Sequence, residues 1–387
     1  MKRSFYSIMA FCGVLALACS QAPPGRGAGE IAGTGDGSVR FRVETVASNL
    51  QVPWSIVFAP DGRIFFTERP GRVRVIENGR LRPEPLAVIS DVEARSESGL
   101  MGMTLHPQFA ENHFIYLAYA YDSGDGQRDR VVRFRETGAG LTDRKLIIED
   151  IPAAQFHAGC RLRFGPDGKL YITTGDATRP DIAQRLDSLG GKTLRLNDDG
   201  TVPTDNPFVG QKDARPEVWT YGHRNAQGMD WQPGTNLMFQ TEHGPSGGDA
   251  SGGGDEVNIV ERGKNYGWPI IHHTQAREGL ESPLLEYTPA IAPASGMFYK
   301  GSAFPQFRGN FFFGNLRGQT LMRVVLDGRK VVSKEPLLKD QYGRIRDVAE
   351  GPDGAIYFST SNRDGRGSPA TDDDRILKLV PVTDAKK

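Results

Sequence analysis

Histidine is the side chain that exchanges protons near neutral pH, and His157, in QFHAGCRLRFGPDG, is the residue of this chain best placed to act as a base. A single histidine is more often structural or merely exposed, so its meaning depends on its neighbours. Arg224 and Asn225 set a planar fork of donors beside an amide. From Glu242 to Glu256 the chain mixes carboxylates with glycines and Pro245. Such a run can be a set of solvated turns, or it can aim oxygens at one centre, as suits Ca²⁺. It lacks the spacing of an EF-hand. Arg344 and Arg346, in QYGRIRDVAEGPDG, are two apart and share one face of an extended strand. Each could pair with a local acid such as Asp340 or Asp347, but Asp347 lies on the opposite face of that strand. With Arg317 and Arg224, these arginines offer four guanidiniums that could converge on a polycarboxylate. Cys160 has no companion that would make it a nucleophile and reads as buried filler.

Strands must position these groups. Short β-branched and aromatic runs alternate with Gly, Pro, Asn and Asp turns from about residue 40, with no long helical periodicity. One strand-turn-strand unit recurs as FAPDGRIFFTE (58–68), FGPDGKLYITTGD (164–176) and EGPDGAIYFST (350–360). Looser copies are LHPQFAENHFIYLAYA (105–120), WQPGTNLMFQTEHG (231–244) and FPQFRGNFFFGN (304–315). In the three close copies Pro fixes φ and Asp-Gly reverses the chain. Six such units predict an all-β fold, a six-bladed β-propeller of four-stranded antiparallel blades over 40–387. The insertions 177–218 and 245–300 are expected as loops gathered at one end of the channel.

Residues 1–18 look like an export signal, with Lys2 and Arg3 ahead of the apolar run from Ile8 to Ala18. LALAC around Cys19 also resembles a lipobox, which would anchor the chain in a membrane by its N-terminus. Residues 19–39 have the Gly, Ala, Pro and Ser composition of a flexible linker. The expected location is the periplasm, free or as an outer-membrane lipoprotein of a bacterium. Without residues 1–18 the chain holds 45 basic and 47 acidic residues, a balance that argues against a nucleic-acid binder. Of the three cysteines only Cys160 belongs to the expected domain, so no internal disulfide supports it.

The segments GLMGMTLHPQF, FHAGCRLRFGPDGKLYITTGD, YGHRNAQGM, EHGP, DEVNIVERGKNYGWP, SGMFYKG and GRIRDVAEGPDG together resemble one family. It is that of the soluble pyrroloquinoline quinone (PQQ)-dependent glucose and aldose sugar dehydrogenases, and the similarity covers most of residues 45–382. The resemblance implies that His157 is the general base for the C1 hydroxyl of an aldose, with hydride transfer to PQQ and a lactone product. It implies that Arg224 and Asn225 contact the quinone and that Arg344 and Arg346 grip the cofactor's carboxylates. Arg317 falls where glucose-specific members carry Lys. The carbonyls of Gly244 and Pro245 match those that hold Ca²⁺, and Glu256 and Tyr266 match ligands of a second Ca²⁺. Glu97 replaces a cofactor-contacting Gln, an unfavourable anion there unless Arg317 or Ca²⁺ offsets it. PSGGDASGGGDE is longer than the family pattern. The partners implied are an aldose and a separate electron acceptor. A calcium-dependent propeller lactonase or a non-catalytic ligand-binding propeller would have no use for the arginine set together with His157.

Overall fold

The computed structural model describes residues 31–382, so the expected signal and Cys19 lie outside the described residues. Six antiparallel sheets form a ring, and the first strand of each packs against the first strands of its two neighbours. Blade 1 begins with Pro53–Phe58 and Ile64–Glu68, blade 2 with Leu100–Leu105 and Phe114–Asp122, and blade 3 with Gly159–Phe164 and Leu170–Thr174. Blade 4 begins with Ala226–Trp231 and Met238–Glu242, blade 5 with Pro293–Phe298 and Phe311–Asn315, and blade 6 with Ile345–Glu350 and Ile356–Thr360. The expected six-bladed β-propeller of four-stranded blades is the observed fold, with an extra short strand on blades 1 and 6. Helix is confined to Phe109–Asn112 and two 3₁₀ turns among the described residues.

Each recurring unit joins the first and second strands of one blade. In the close copies the Asp side chain accepts the N–H two residues on: Arg63 at 3.1 Å, Lys169 at 3.1 Å and Ala355 at 3.2 Å. The glycine between them takes a left-handed φ of 88°, 72° and 72° in turn, which is why the turn demands Asp-Gly. These reversals lie at one end of the ring. The residues that enter a first strand or leave a second strand therefore lie at the other.

Blade 6 closes the ring from both ends of the chain. Its third strand is Ile376–Pro381 and its outer strand Arg40–Ala47, with Val43 opposite Leu379 and Thr45 opposite Leu377. Phe41 and Val43 point inward while Arg40 and Arg42 face solvent, the period-two pattern of a strand with one buried face. Apolar residues form six clusters, one at each seam between neighbouring blades, rather than a single core.

Two boundaries differ from expectation. Ile31–Gly33 pairs with Arg40–Arg42, so part of the expected 19–39 linker is an edge strand of blade 6. The stretches 177–218 and 245–300 are not single loops, because Lys192–Leu196 and Asp255–Val260 run through them as third strands of blades 3 and 4. Composition hid both: a three-residue strand has too few side chains to show periodicity, and glycine-rich flanks mask the third strands.

The closure generates a prediction. Phe41 is fully buried and meets Phe304 edge-on at 6.4 Å. Phe41→Ala should cost about 3–5 kcal/mol of stability, read as a lower denaturant midpoint.

Candidate active site

At the end of the ring away from the Asp-Gly turns lies a cavity of about 360 Å³. Every blade contributes to it through the two positions the topology leaves open. Glu97, His157, Arg224 with Asn225, Ala292 and Arg344 stand at the entrances to first strands, and Arg346 is the second residue of its own. Arg69, His243 to Pro245, Arg317, and Asp364 with Arg366 follow second strands. The structure thus brings together His157, Arg224, Asn225, Glu97, Arg317, Arg344, Arg346, Gly244 and Pro245 from distant parts of the sequence.

His157 is held by geometry that sequence reading missed. Its Nδ1 lies 2.7 Å from Oδ1 of Asp176, which leaves the blade 3 second strand and is fully buried. Asp176 also accepts Trp268 Nε1–H at 2.9 Å and the Thr178 N–H at 2.8 Å. A carboxylate that accepts from Nδ1–H fixes the tautomer, leaving Nε2 as the basic nitrogen facing the cavity. His157 has φ of 56°, sparsely populated for a residue with a side chain, and this backbone persists because its surroundings hold it. Gly175 provides the room: a Cβ there would strike the His157 carbonyl, which instead accepts the Ala177 N–H at 3.2 Å. The loop from Ala177 to Gly191 at the mouth is tied down by Lys192. Its buried ammonium donates to the carbonyls of Ile182, Ala183 and Gly190 at 2.8, 3.0 and 2.6 Å.

Positive charge dominates the cavity. Six arginines line it against three carboxylates, those of Glu97, Asp255 and Asp364. Arg344 pairs with Asp364 at 2.8 Å, and Arg224 pairs with Asp249 at 2.7 Å. Neither Asp340 nor Asp347 serves the arginines: Asp347 faces the lower channel and pairs with Arg161 at 3.1 Å. Arg346 is buried and touches only the Gln227 amide oxygen, at 2.8 Å; burial pushes its guanidinium down to about 10. Trp54 lies under it, with ring centre 5.6 Å from the Arg346 guanidinium and 4.3 Å from that of Arg161.

Glu97 is offset differently from expectation. Its carboxylate pairs with Arg366 rather than Arg317 and accepts the His157 N–H at 3.3 Å. Burial opposes its charge, yet Arg366 and the His157 N–H beside it help hold the carboxyl below its usual range. Burial pushes the His243 imidazole down to about 3, so it is neutral there. Its Nε2, the Asn225 Nδ2 and the Arg346 Nε are buried without a hydrogen-bond partner.

Gly244 and Pro245 lie at the wall, where Gly244 packs so closely that a Cβ would fall inside the Gly253 and Gly254 carbonyls. Glu256 sits behind them beside Glu242, and burial and then that neighbour raise its carboxyl well above the usual range. Tyr266 lies elsewhere, its hydroxyl donating to the Ile259 carbonyl at 2.6 Å and its ring stacked on His223. Among the described residues no three His, Cys, Asp or Glu side chains gather as a metal site, so a cation would depend on backbone carbonyls. Cys160 is fully buried and burial pushes its thiol up, as its filler role requires.

The family model for glucose/sorbosone dehydrogenases matches residues 50–376. The chain belongs to that family. The Escherichia coli aldose sugar dehydrogenase YliI is 35% identical over 358 residues, covering 88% of this chain and 92% of its own. A solved glucose dehydrogenase is 36% identical with a TM-score of 0.81, covering 88% of this chain and 99% of that one. The PQQ-bound aldose sugar dehydrogenase of Streptomyces coelicolor is 31% identical with a TM-score of 0.77, covering 87% and 97%.

The family's cavity wall yields a stability test. Gly244→Ala must displace the backbone at Gly253 and Gly254, so it should cost about 1–3 kcal/mol in chemical denaturation.

Proposed function

We propose that the chain is a PQQ- and calcium-dependent aldose dehydrogenase that oxidises the C1 hydroxyl of a cyclic sugar to the lactone. The observation that carries this reading is the His157–Asp176 pair set at 2.7 Å in a cavity with an excess of arginines. The residues fit a quinone bearing three carboxylates: the cavity's cations outnumber its anions, and Asn225 Nδ2 and Arg346 Nε lack partners. Bound PQQ supplies a two-electron acceptor for the C1 hydride.

The chain's residues do the rest. His157 Nε2 takes the proton from the C1 hydroxyl, and Asp176 holds the ring and stabilises the imidazolium that forms. Arg224 and Asn225 would hold the quinone end of the cofactor, offering positive charge and an amide N–H that suit an oxygen gaining negative charge. Arg317, Arg344 and Arg346 hold carboxylates. The carbonyls of Gly244 and Pro245 are the oxygens offered to Ca²⁺, and Glu256 and Tyr266 remain assigned to a second Ca²⁺ by resemblance alone. Turnover requires a separate electron acceptor. The basic, apolar start of the chain supports export to the periplasm, with Cys19 as the point where a lipid would attach.

His157→Ala should lower glucose-dependent dye reduction by about 10²–10⁴ while leaving PQQ uptake intact, as followed by absorbance. Asp176→Asn should lose a comparable factor, because an amide can donate to Nδ1 and turn the proton onto Nε2. A near-native rate in His157→Ala would remove it as the base.

A further inference from the structure

Of the six cavity arginines, Arg224, Arg344 and Arg366 each meet a carboxylate, that of Asp249, Asp364 or Glu97. Arg346 meets only an amide oxygen. Among the described residues Arg317 and Arg69 make no ion pair and no side-chain hydrogen bond. Arg317 is exposed at the rim, where water serves it. Arg69 is different, because it is partly buried and burial lowers the pKa of its guanidinium.

The structure holds Arg69 in place. It directly follows the second strand of blade 1, its N–H donates to the Val52 carbonyl at 3.2 Å, and its own carbonyl accepts the Leu100 N–H at 2.9 Å. Gly99 clears a path for the side chain: at φ of 147° it lies so close that a Cβ would stand 2.8 Å from Arg69 Cγ. The adjacent acid is unavailable, since Glu68 spends its carboxylate on Arg72 at 2.7 Å, Arg74 at 3.1 Å and the Gln51 N–H at 2.7 Å. Asp364 and Glu97 act on Arg69 only across space. The backbone and the root of the side chain are thus fixed, and the partly buried guanidinium beyond them is left without an anion, which a carboxylate ligand could supply.

We propose that Arg69 is a further cofactor-binding residue, whose guanidinium joins Arg317, Arg344 and Arg346 in taking the carboxylates of PQQ. The proposal rests on the PQQ reading above. Nothing in the repeat or the motifs marks Arg69, which follows an ordinary Thr-Glu at a strand end.

The test compares PQQ with its uncharged trimethyl ester. Calcium-loaded apoprotein, wild type and Arg69→Met, is titrated calorimetrically with each, and melting temperatures are taken without ligand. Arg69→Met should bind PQQ about 10- to 100-fold more weakly, bind the ester as the wild type does, and melt within a few degrees of it. Equal PQQ affinity in the two proteins overturns the proposal, as does an equal loss for PQQ and ester. Should Arg69→Met fail to fold, Arg69→Gln reads the same ratio. No PQQ uptake by the wild type would instead sink the cofactor reading itself.

Discussion

Like charges held close together are the constraint to which this molecule answers. Guanidiniums from four of the six blades enter a cavity of about 360 Å³, where they repel one another and are partly stripped of water. Three of them are matched by acids brought from neighbouring loops, and one of those acids, Glu97, is paired across 269 residues of sequence with Arg366. Of the remainder, Arg346 is buried, Arg69 is partly buried and Arg317 reaches solvent at the rim. A propeller is well suited to holding such charges. Its strands are locked by six apolar seams, so the loops at the mouth can carry strain and charge that a softer scaffold would relax.

The same division of labour explains where chemistry sits. The Asp-Gly reversals close one end of blades 1, 3 and 6 with tight turns in which the Asp side chain accepts a backbone N–H. At the opposite end each blade exposes two connections, and the site uses both. His157 arrives on the entrance to blade 3 and Asp176 on the exit from that blade's second strand, nineteen residues later, so one blade alone builds the His157–Asp176 pair. The cations come from blades 1, 4, 5 and 6, and only ring closure by the strand Arg40–Ala47 brings the first and last of them together.

The fold was legible because the turn is a local device: Pro, Asp and Gly specify it within four residues, and its copies mark one blade each. Arg344 and Arg346 were legible for a similar reason, since a period of two decides which face they share. Asp176 carried a weak signal, a Gly-Asp directly after a strand, whose meaning depends on a backbone bend at His157 that no spacing reports. Arg69 and Arg366 were illegible. Their roles come from which blades are neighbours and from what their nearest acids are already doing, and both are properties of the closed ring. The edge strand Ile31–Gly33 escaped notice because its backbone pairing with Arg40–Arg42 places no demand on side chains.

The central claim is that a tricarboxylate quinone lies in this mouth with its acids toward the arginines and its reactive edge toward His157. Determining the crystal structure after soaking with PQQ and Ca²⁺ tests it most directly. The account predicts one PQQ per chain, carboxylates within hydrogen-bond reach of Arg69, Arg317, Arg344 and Arg346, and the quinone oxygens beside Arg224, Asn225 and a Ca²⁺ held by the Gly244 and Pro245 carbonyls. Density for PQQ at another site, or in this cavity with its carboxylates turned away from the arginines, would contradict it.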